Sequence, residues 1–186
     1  MNLWELSISG VNYSSFFLPE KDGNNHFTQF VNEFDNKEQH KDKKWEPLVL
    51  LKQEQRIDPD FFDLYDSGSI LVSSKGKSLL EIFLNKGSYE FFSFLNDEDD
   101  FFLFNLKKEI NDCLIKEKSI FTTLPTRQIT EFEYLFFDPK IVEREVIFRV
   151  PELPYSIFVS DEFEYEYNSL GLKGLNFDRS NLIFTA

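Results

Sequence analysis

A four-residue phrase is written twice along this chain, and each copy specifies a unit of local structure. Ile70-Leu71-Val72-Ser73 recurs as Ile157-Phe158-Val159-Ser160, and a glycine stands fourteen residues after each serine, at Gly87 and at Gly174. Aromatic residues follow shortly, Tyr89 and Phe91 in the first copy and Phe177 in the second. Apolar residues with β-branching favour a short strand. A serine at the end of such a strand is placed to cap a helix, because its hydroxyl accepts from the unpaired N–H groups of the first turn. Glycine beyond the helix stops it by taking a left-handed backbone conformation. The phrase therefore predicts, twice, a strand, a serine-capped helix of about ten to twelve residues and a glycine stop. Leu79, Leu80 and Phe83 are expected on the buried face of the first helix, and Phe163, Tyr167 and Leu170 on that of the second. Ser73 and Ser160 are then caps and not nucleophiles: neither stands in a Gly-x-Ser-x-Gly elbow or has a histidine close in sequence.

The core that receives these faces must be built from rings. The chain has 23 Phe and 7 Tyr against one Met, and its only alanine is Ala186. The preference for Phe, Asn, Lys and Ile follows A/T-rich codons, so part of the aromatic excess reflects coding bias. A chain of 186 residues buries roughly 70% of its unfolded surface, enough for a single domain over 1–186. Elsewhere, Leu3–Ser9 reads as a strand, Pro47–Lys52 as a short buried strand, and Asp58-Pro59-Asp60 as a turn or helix start before Phe61-Phe62-Asp63-Leu64. Phe27, Phe30, Val31 and Phe34 have the spacing of a short amphipathic helix, ahead of a solvated basic stretch from Lys37 to Lys44. Tyr89–Leu95, Phe101–Leu106 and Phe132–Phe137 have strand length, the first two flanking a turn at Asn96–Asp100. Two more strands are expected between Glu145 and Ser160, broken by Pro151 and Pro154. The fold class is α+β: a mixed, largely antiparallel sheet with a few helices, containing a weak strand-helix-strand duplication.

A formal charge of −13 disfavours nucleic acid and anionic membrane as partners, since both require phosphates to be neutralised, and any charged partner is expected to be basic. The same charge keeps a Phe-rich surface soluble. The N-terminus shows no secretory pattern and no apolar run approaches membrane-spanning length, so a cytoplasmic location is expected. The lone Cys113 has no internal disulfide partner, which suits a reducing compartment. His26, His40 and Cys113 are too far apart in sequence to suggest a metal site, and no phosphate loop is present, so neither metal nor cofactor is expected. A triad drawn from Ser160, His26 and an aspartate is disfavoured. Three acidic patches remain as contact candidates: Asp97, Glu98, Asp99 and Asp100; Glu131 and Glu133 beside Tyr134; and Asp161 and Glu162 with Glu164, Tyr165 and Glu166. The last mixes carboxylates with tyrosine, a residue enriched at interface centres. Solvated surface and, for Asp161 and Glu162, the helix macrodipole are the competing local explanations.

The C-terminal segment Ile147-Phe148-Arg149-Val150-Pro151-Glu152-Leu153-Pro154-Tyr155-Ser156-Ile157-Phe158-Val159-Ser160-Asp161-Glu162-Phe163, followed by Gly171-Leu172-Lys173-Gly174-Leu175-Asn176-Phe177, resembles bacterial immunity proteins of the Imm-eleven type. Ile70–Ser73 with its leucine-rich helix, Phe101–Leu106, Cys113-Leu114 and Ser119 follow in the order associated with that family. The resemblance covers roughly residues 57–178 and fits the first 55 only loosely. It implies no catalytic residues. It implies a role, which is to bind and block a cognate toxin of a polymorphic or contact-dependent system, a partner expected to be basic. A non-inhibitory adaptor or chaperone for a secreted effector, or a small enzyme with an unfamiliar site, would be the alternatives. Oligomeric state is left open.

Overall fold

The computed structural model describes residues 2–9, 13–18, 45, 47–53, 56–63, 70–96, 99–125, 129–177 and 182–185. Along the chain run β1 (Leu3–Glu5), β2 (Ser7–Ile8), β3 (Phe16–Phe17), β4 (Leu48–Val49), β5 (Leu51–Lys52), β6 (Phe61–Asp63) and β7 (Ile70–Ser73). Helix α1 (Ser74–Phe83) follows, then β8 (Tyr89–Leu95), β9 (Phe101–Leu106), β10 (Ile120–Thr123) and β11 (Ile129–Phe137). The remainder comprises α2 (Pro139–Val142), β12 (Ile147–Val150), β13 (Leu153–Ser160), α3 (Asp161–Ser169), β14 (Leu175–Asn176) and β15 (Leu182–Thr185). The class is α+β, with largely antiparallel sheets and three helices among the described residues.

Both copies of the repeated phrase form strands buried on both faces. β7 lies inside a five-stranded sheet of order β4-β8-β9-β7-β6, and β13 lies at the centre of a three-stranded sheet of order β1-β13-β12. Side chains alternate across a strand, so a central strand feeds two cores at once. In β7, Val72 enters the core beneath the helices while Leu71 enters the one on the opposite face. In β13, Ile157 and Val159 join Val72 in that first core, and Phe158 meets Phe137 and Phe148 in a third core under β11. The near-continuous apolar runs of the repeat are those of strands with no solvent face.

The two helices converge. Leu79 and Leu80 of α1 and Phe163 and Tyr167 of α3 occupy the same core, with the rings of Phe83 and Phe163 centred 5.9 Å apart. Burying a ring such as Phe163 stabilises the fold by roughly 1.5–3 kcal/mol. Asp60 ties the copies together. Its Oδ1 accepts from Ser73 Oγ at 2.7 Å and its Oδ2 from Lys173 N at 3.0 Å, while Lys173 O accepts from Asp60 N and Phe61 N.

Several expectations need correction. Ser73 caps α1 as expected, its Oγ accepting from Gly76 N at 3.2 Å, but Ser160 at the start of α3 makes no side-chain cap bond. Gly87 (φ +96°) and Gly174 (φ +105°) do adopt positive φ, yet neither stops its helix. α1 ends at Phe83 with Leu84 extended, and Gly171 (φ +64°) turns the chain after α3. That turn carries Leu172 into the core and leaves Leu170, just past the last helical residue, 53% exposed. Gly174 instead permits a close approach: a Cβ there would fall 1.9 Å from Phe61 O. Leu3–Ser9 divides at Leu6 into β1 and β2, which pair with β13 and β14. Asp58-Pro59-Asp60 leads into strand β6 and not a helix. Pro154 sits within β13 without breaking it, in the stretch where the register against β12 shifts and no ladder N–H is called for. Pro47–Lys52 is not buried throughout: Leu50 is 1% exposed but Val49 and Leu51 are 48% and 39% exposed. The expected helix at Phe27–Phe34, the basic stretch Lys37–Lys44, Leu64, His26 and His40 lie outside the described residues.

Candidate functional site

α3 carries its carboxylates because its sequence has two faces. Phe163 and Tyr167, four residues apart, point into the core, which turns Asp161, Glu162 and Tyr165 to solvent, with Glu164 and Glu166 half-buried beside them. Tyr165 is 70% exposed, a large amphipathic ring ringed by acid. Asp161 is held from a distance: its Oδ1 accepts from Asn2 N at 2.8 Å and its Oδ2 from Asn2 Nδ2 at 3.3 Å. Ser169 Oγ donates to Glu166 O at 2.9 Å and reaches Glu166 Oε2 at 3.4 Å. Among the described residues no lysine or arginine pairs with Asp161, Glu162, Glu164 or Glu166.

Four carboxylates elsewhere are paired with lysine. Glu145 pairs with Lys108, Glu90 with Lys107, Glu152 with Lys116 at 2.8 Å and Asp58 with Lys52 at 2.8 Å. The contrast with α1 is sharper because both helices grow from the same phrase. α1 bears Lys75, Lys77 and Glu81, with Lys77 Nζ 3.8 Å from Glu81 Oε1 and lying over the rings of Phe102 and Phe91 at 4.5 and 5.4 Å. α3 has no cation in its last turn, and its Glu162 and Glu166 are like charges one turn apart, a spacing that destabilises a helix by about 0.2–0.5 kcal/mol. The macrodipole favours acid in the first turn only, so it does not account for Glu166.

The other two patches lie on different elements. Asp99 and Asp100 are exposed in the connection between β8 and β9, which pair as the expected hairpin with Phe94 opposite Phe101; Asp97 and Glu98 fall outside the described residues. Glu131 and Glu133 are exposed on β11. Their strand-mates Ile129, Leu135 and Phe137 are buried, because irregularities in the β10 pairing shift the register there and turn Phe132 towards the core.

Sequence reasoning overlooked a set of exposed apolar residues. Ile82, Tyr155, Ile120 and Leu124 are exposed. Val49 is the register partner of Leu95, and Leu51, two residues on from Val49, is that of Phe17 in the neighbouring β3-β5 pair. A groove of about 550 Å³ opens between β2, β3 and β6, lined by Ile8, Phe16, Asp63 and Tyr155 among others.

Nothing in these surfaces assembles a familiar catalytic centre. Ser160 Oγ, at the end of an apolar strand and without a hydrogen-bond partner among the described residues, is buried, its residue 3% exposed. Burial pushes the Cys113 thiol up to about 12, reinforced by the Glu152 carboxylate, which keeps it protonated and unreactive near neutrality. Burial likewise pushes the Tyr167 hydroxyl up to about 12; its oxygen accepts from Leu175 N at 3.0 Å. Among the described residues no cluster of three or more His, Cys, Asp or Glu could hold a metal ion, and no helix is long and apolar enough to cross a membrane.

Comparison with known proteins adds a family. A family model described as "Immunity protein family (Imm11)" matches residues 20–181. No curated protein matches the chain.

Proposed function

Because the chain belongs to the Imm11 family of immunity proteins, we propose that it binds a cognate bacterial toxin in the cytoplasm and neutralises it by stoichiometric occlusion. The match over residues 20–181 carries this reading. Occlusion requires no chemistry of its own. It requires a complementary surface of about 1,600 Å² and, for a toxin lethal at low copy, nanomolar affinity or better, roughly −12 kcal/mol.

The solvent face of α3, with Glu162, Glu164 and Glu166 around Tyr165, is the first of the three acidic patches to bring to that interface. Its carboxylates await a counter-charge that the described residues do not provide, and the exposed ring offers area at little entropic cost. Asp161 contributes less, being engaged by Asn2. Asp97, Glu98, Asp99 and Asp100, between β8 and β9 in sequence, and the pair Glu131 and Glu133 are further contact candidates. A basic toxin would be drawn to such a surface and displaced from its own anionic substrate.

Co-expression with the toxin encoded beside it should restore growth, and the purified complex should show toxin activity titrated to zero at one equivalent. Undiminished killing in the presence of folded protein would overturn the proposal. A complex that forms while the toxin stays active would assign the chain to the adaptor class instead.

A further inference from the structure

We infer that the edge of the five-stranded sheet at Val49 and Leu95, together with Phe17 and Leu51 of the neighbouring β3-β5 pair, left open by the described residues, is the apolar anchor site for a basic protein partner, the toxin of the reading above. The strip follows from strand alternation. Phe16, Leu50 and Phe94 point to one side and are buried in the same core, so their neighbours Phe17, Val49, Leu51 and Leu95 point to the other. Residues paired across strands share a face. The pairings Val49 with Leu95 and Leu51 with Phe17 lie in separate sheets, and the two-residue spacing of Val49 and Leu51 along the chain brings the four to one side. Leu95 has the parity of Tyr89 and Phe91 in β8, which pack into the core under α1. The strip is thus the continuation of the face that α1 covers, beyond the point where the Lys77 ammonium closes over Phe91 and Phe102.

On a sheet whose other strand residues are well packed, Leu95 is 52% and Val49 48% exposed. Contiguous apolar surface of this kind, rimmed by charge, marks contact sites. Its rim specifies the partner's chemistry. β8 runs directly from Leu95 towards the hairpin tip, where Asp99 and Asp100 are exposed and form no ion pair among the described residues. A complementary surface would present an aliphatic or aromatic side chain to the strip and lysine or arginine to the tip. A second copy of this chain would bring acid against acid, which disfavours self-association here.

This inference rests on the immunity reading, and the test separates the two. Binding of the toxin domain encoded by the adjacent gene would be measured for wild type, Leu95→Lys, Asp99→Lys and Ile82→Lys, with folding checked by thermal melting. Ile82 serves as control, an exposed aliphatic residue on α1 away from the strip. Leu95→Lys should weaken binding by roughly thirtyfold or more, the effect of losing an interface anchor, and Ile82→Lys by less than about twofold. Asp99→Lys should also weaken binding, mainly through slower association. Leu95→Lys binding as wild type would overturn the anchor site and leave the immunity role intact. A large drop in melting temperature for Leu95→Lys would also overturn it, by showing that the strip is packed within the chain. Failure of wild type both to bind and to protect would remove the immunity role, and the strip's role with it.

Discussion

Gly87 and Gly174 occupy the same place in the two copies and share positive φ, at +96° and +105°, yet alanine should cost different amounts at each. At Gly87 a Cβ meets nothing within 4 Å, so Gly87→Ala pays only for backbone strain, about 1–3 kcal/mol. At Gly174 the same strain is joined by a clash with Phe61 O at 1.9 Å, which forces β6 away from the loop after α3. Gly174→Ala should lose a further 1–3 kcal/mol or so, read as the difference between the two urea midpoints. Titration offers a second check at this scale. The Cys113 thiol ionises near its ordinary 9.0 in the unfolded chain but near 12 in the folded one. Between these values the unfolded state has released a proton that the folded state keeps, so stability is fully present below pH 9 and falls as pH rises towards 12. Tyr167, raised from 10.0 to about 12, acts in the same direction. Unfolding free energy measured against pH should begin to decline near pH 9 in wild type and less steeply there in Cys113→Ala, where the Tyr167 contribution remains.

At the scale of elements, the two helix starts are the sharpest comparison, because one serine is engaged and the other is not. Ser73→Ala removes a cap bond to Gly76 N and the donor to Asp60 Oδ1, so it should destabilise by about 1–2 kcal/mol. Ser160→Ala removes a buried hydroxyl with no partner and should be neutral or slightly stabilising; equilibrium denaturation of both variants decides. This difference shows what local chemistry reveals and what it hides. Both strand-helix units were legible, since apolar runs, a capping residue type and helical spacing are written in consecutive residues. The hairpin at Tyr89–Leu106 was legible for the same reason. Whether a serine hydroxyl is engaged depends on neighbours remote in sequence: Asp60 reaches Ser73 Oγ, and no described group reaches Ser160 Oγ. The strip at Val49 and Leu51 was missed because Pro47-Leu48-Val49-Leu50-Leu51 is apolar at every position, which reads as burial on both faces. Only pairing with β8 and β3 shows that one face stays open. Acidity at α3 was visible in the sequence, but that none of the described lysines or arginines pairs with it required their positions in space.

For the molecule as a whole, charge and shape divide the work of capture. A formal charge of −13 creates an attractive field for a basic partner that extends about one Debye length, roughly 8 Å at physiological salt. That field acts on the encounter rather than on the final complex, so it should appear in the association rate. Replacing Glu162 and Glu166 with lysine moves the formal charge by four, from −13 to −9, and reverses the potential where α3 lacks cations. At low ionic strength the double variant should associate with the toxin roughly tenfold more slowly than wild type. Raising the salt to about 0.5 M should bring the two rates together as screening shortens the field. Dissociation should change less, because desolvated apolar contacts set it more than rim charges do. Stopped-flow association across a salt series separates these effects. An association rate indifferent to both salt and the double substitution would mean that the acid on α3 serves solubility alone, with recognition left to shape and apolar contact.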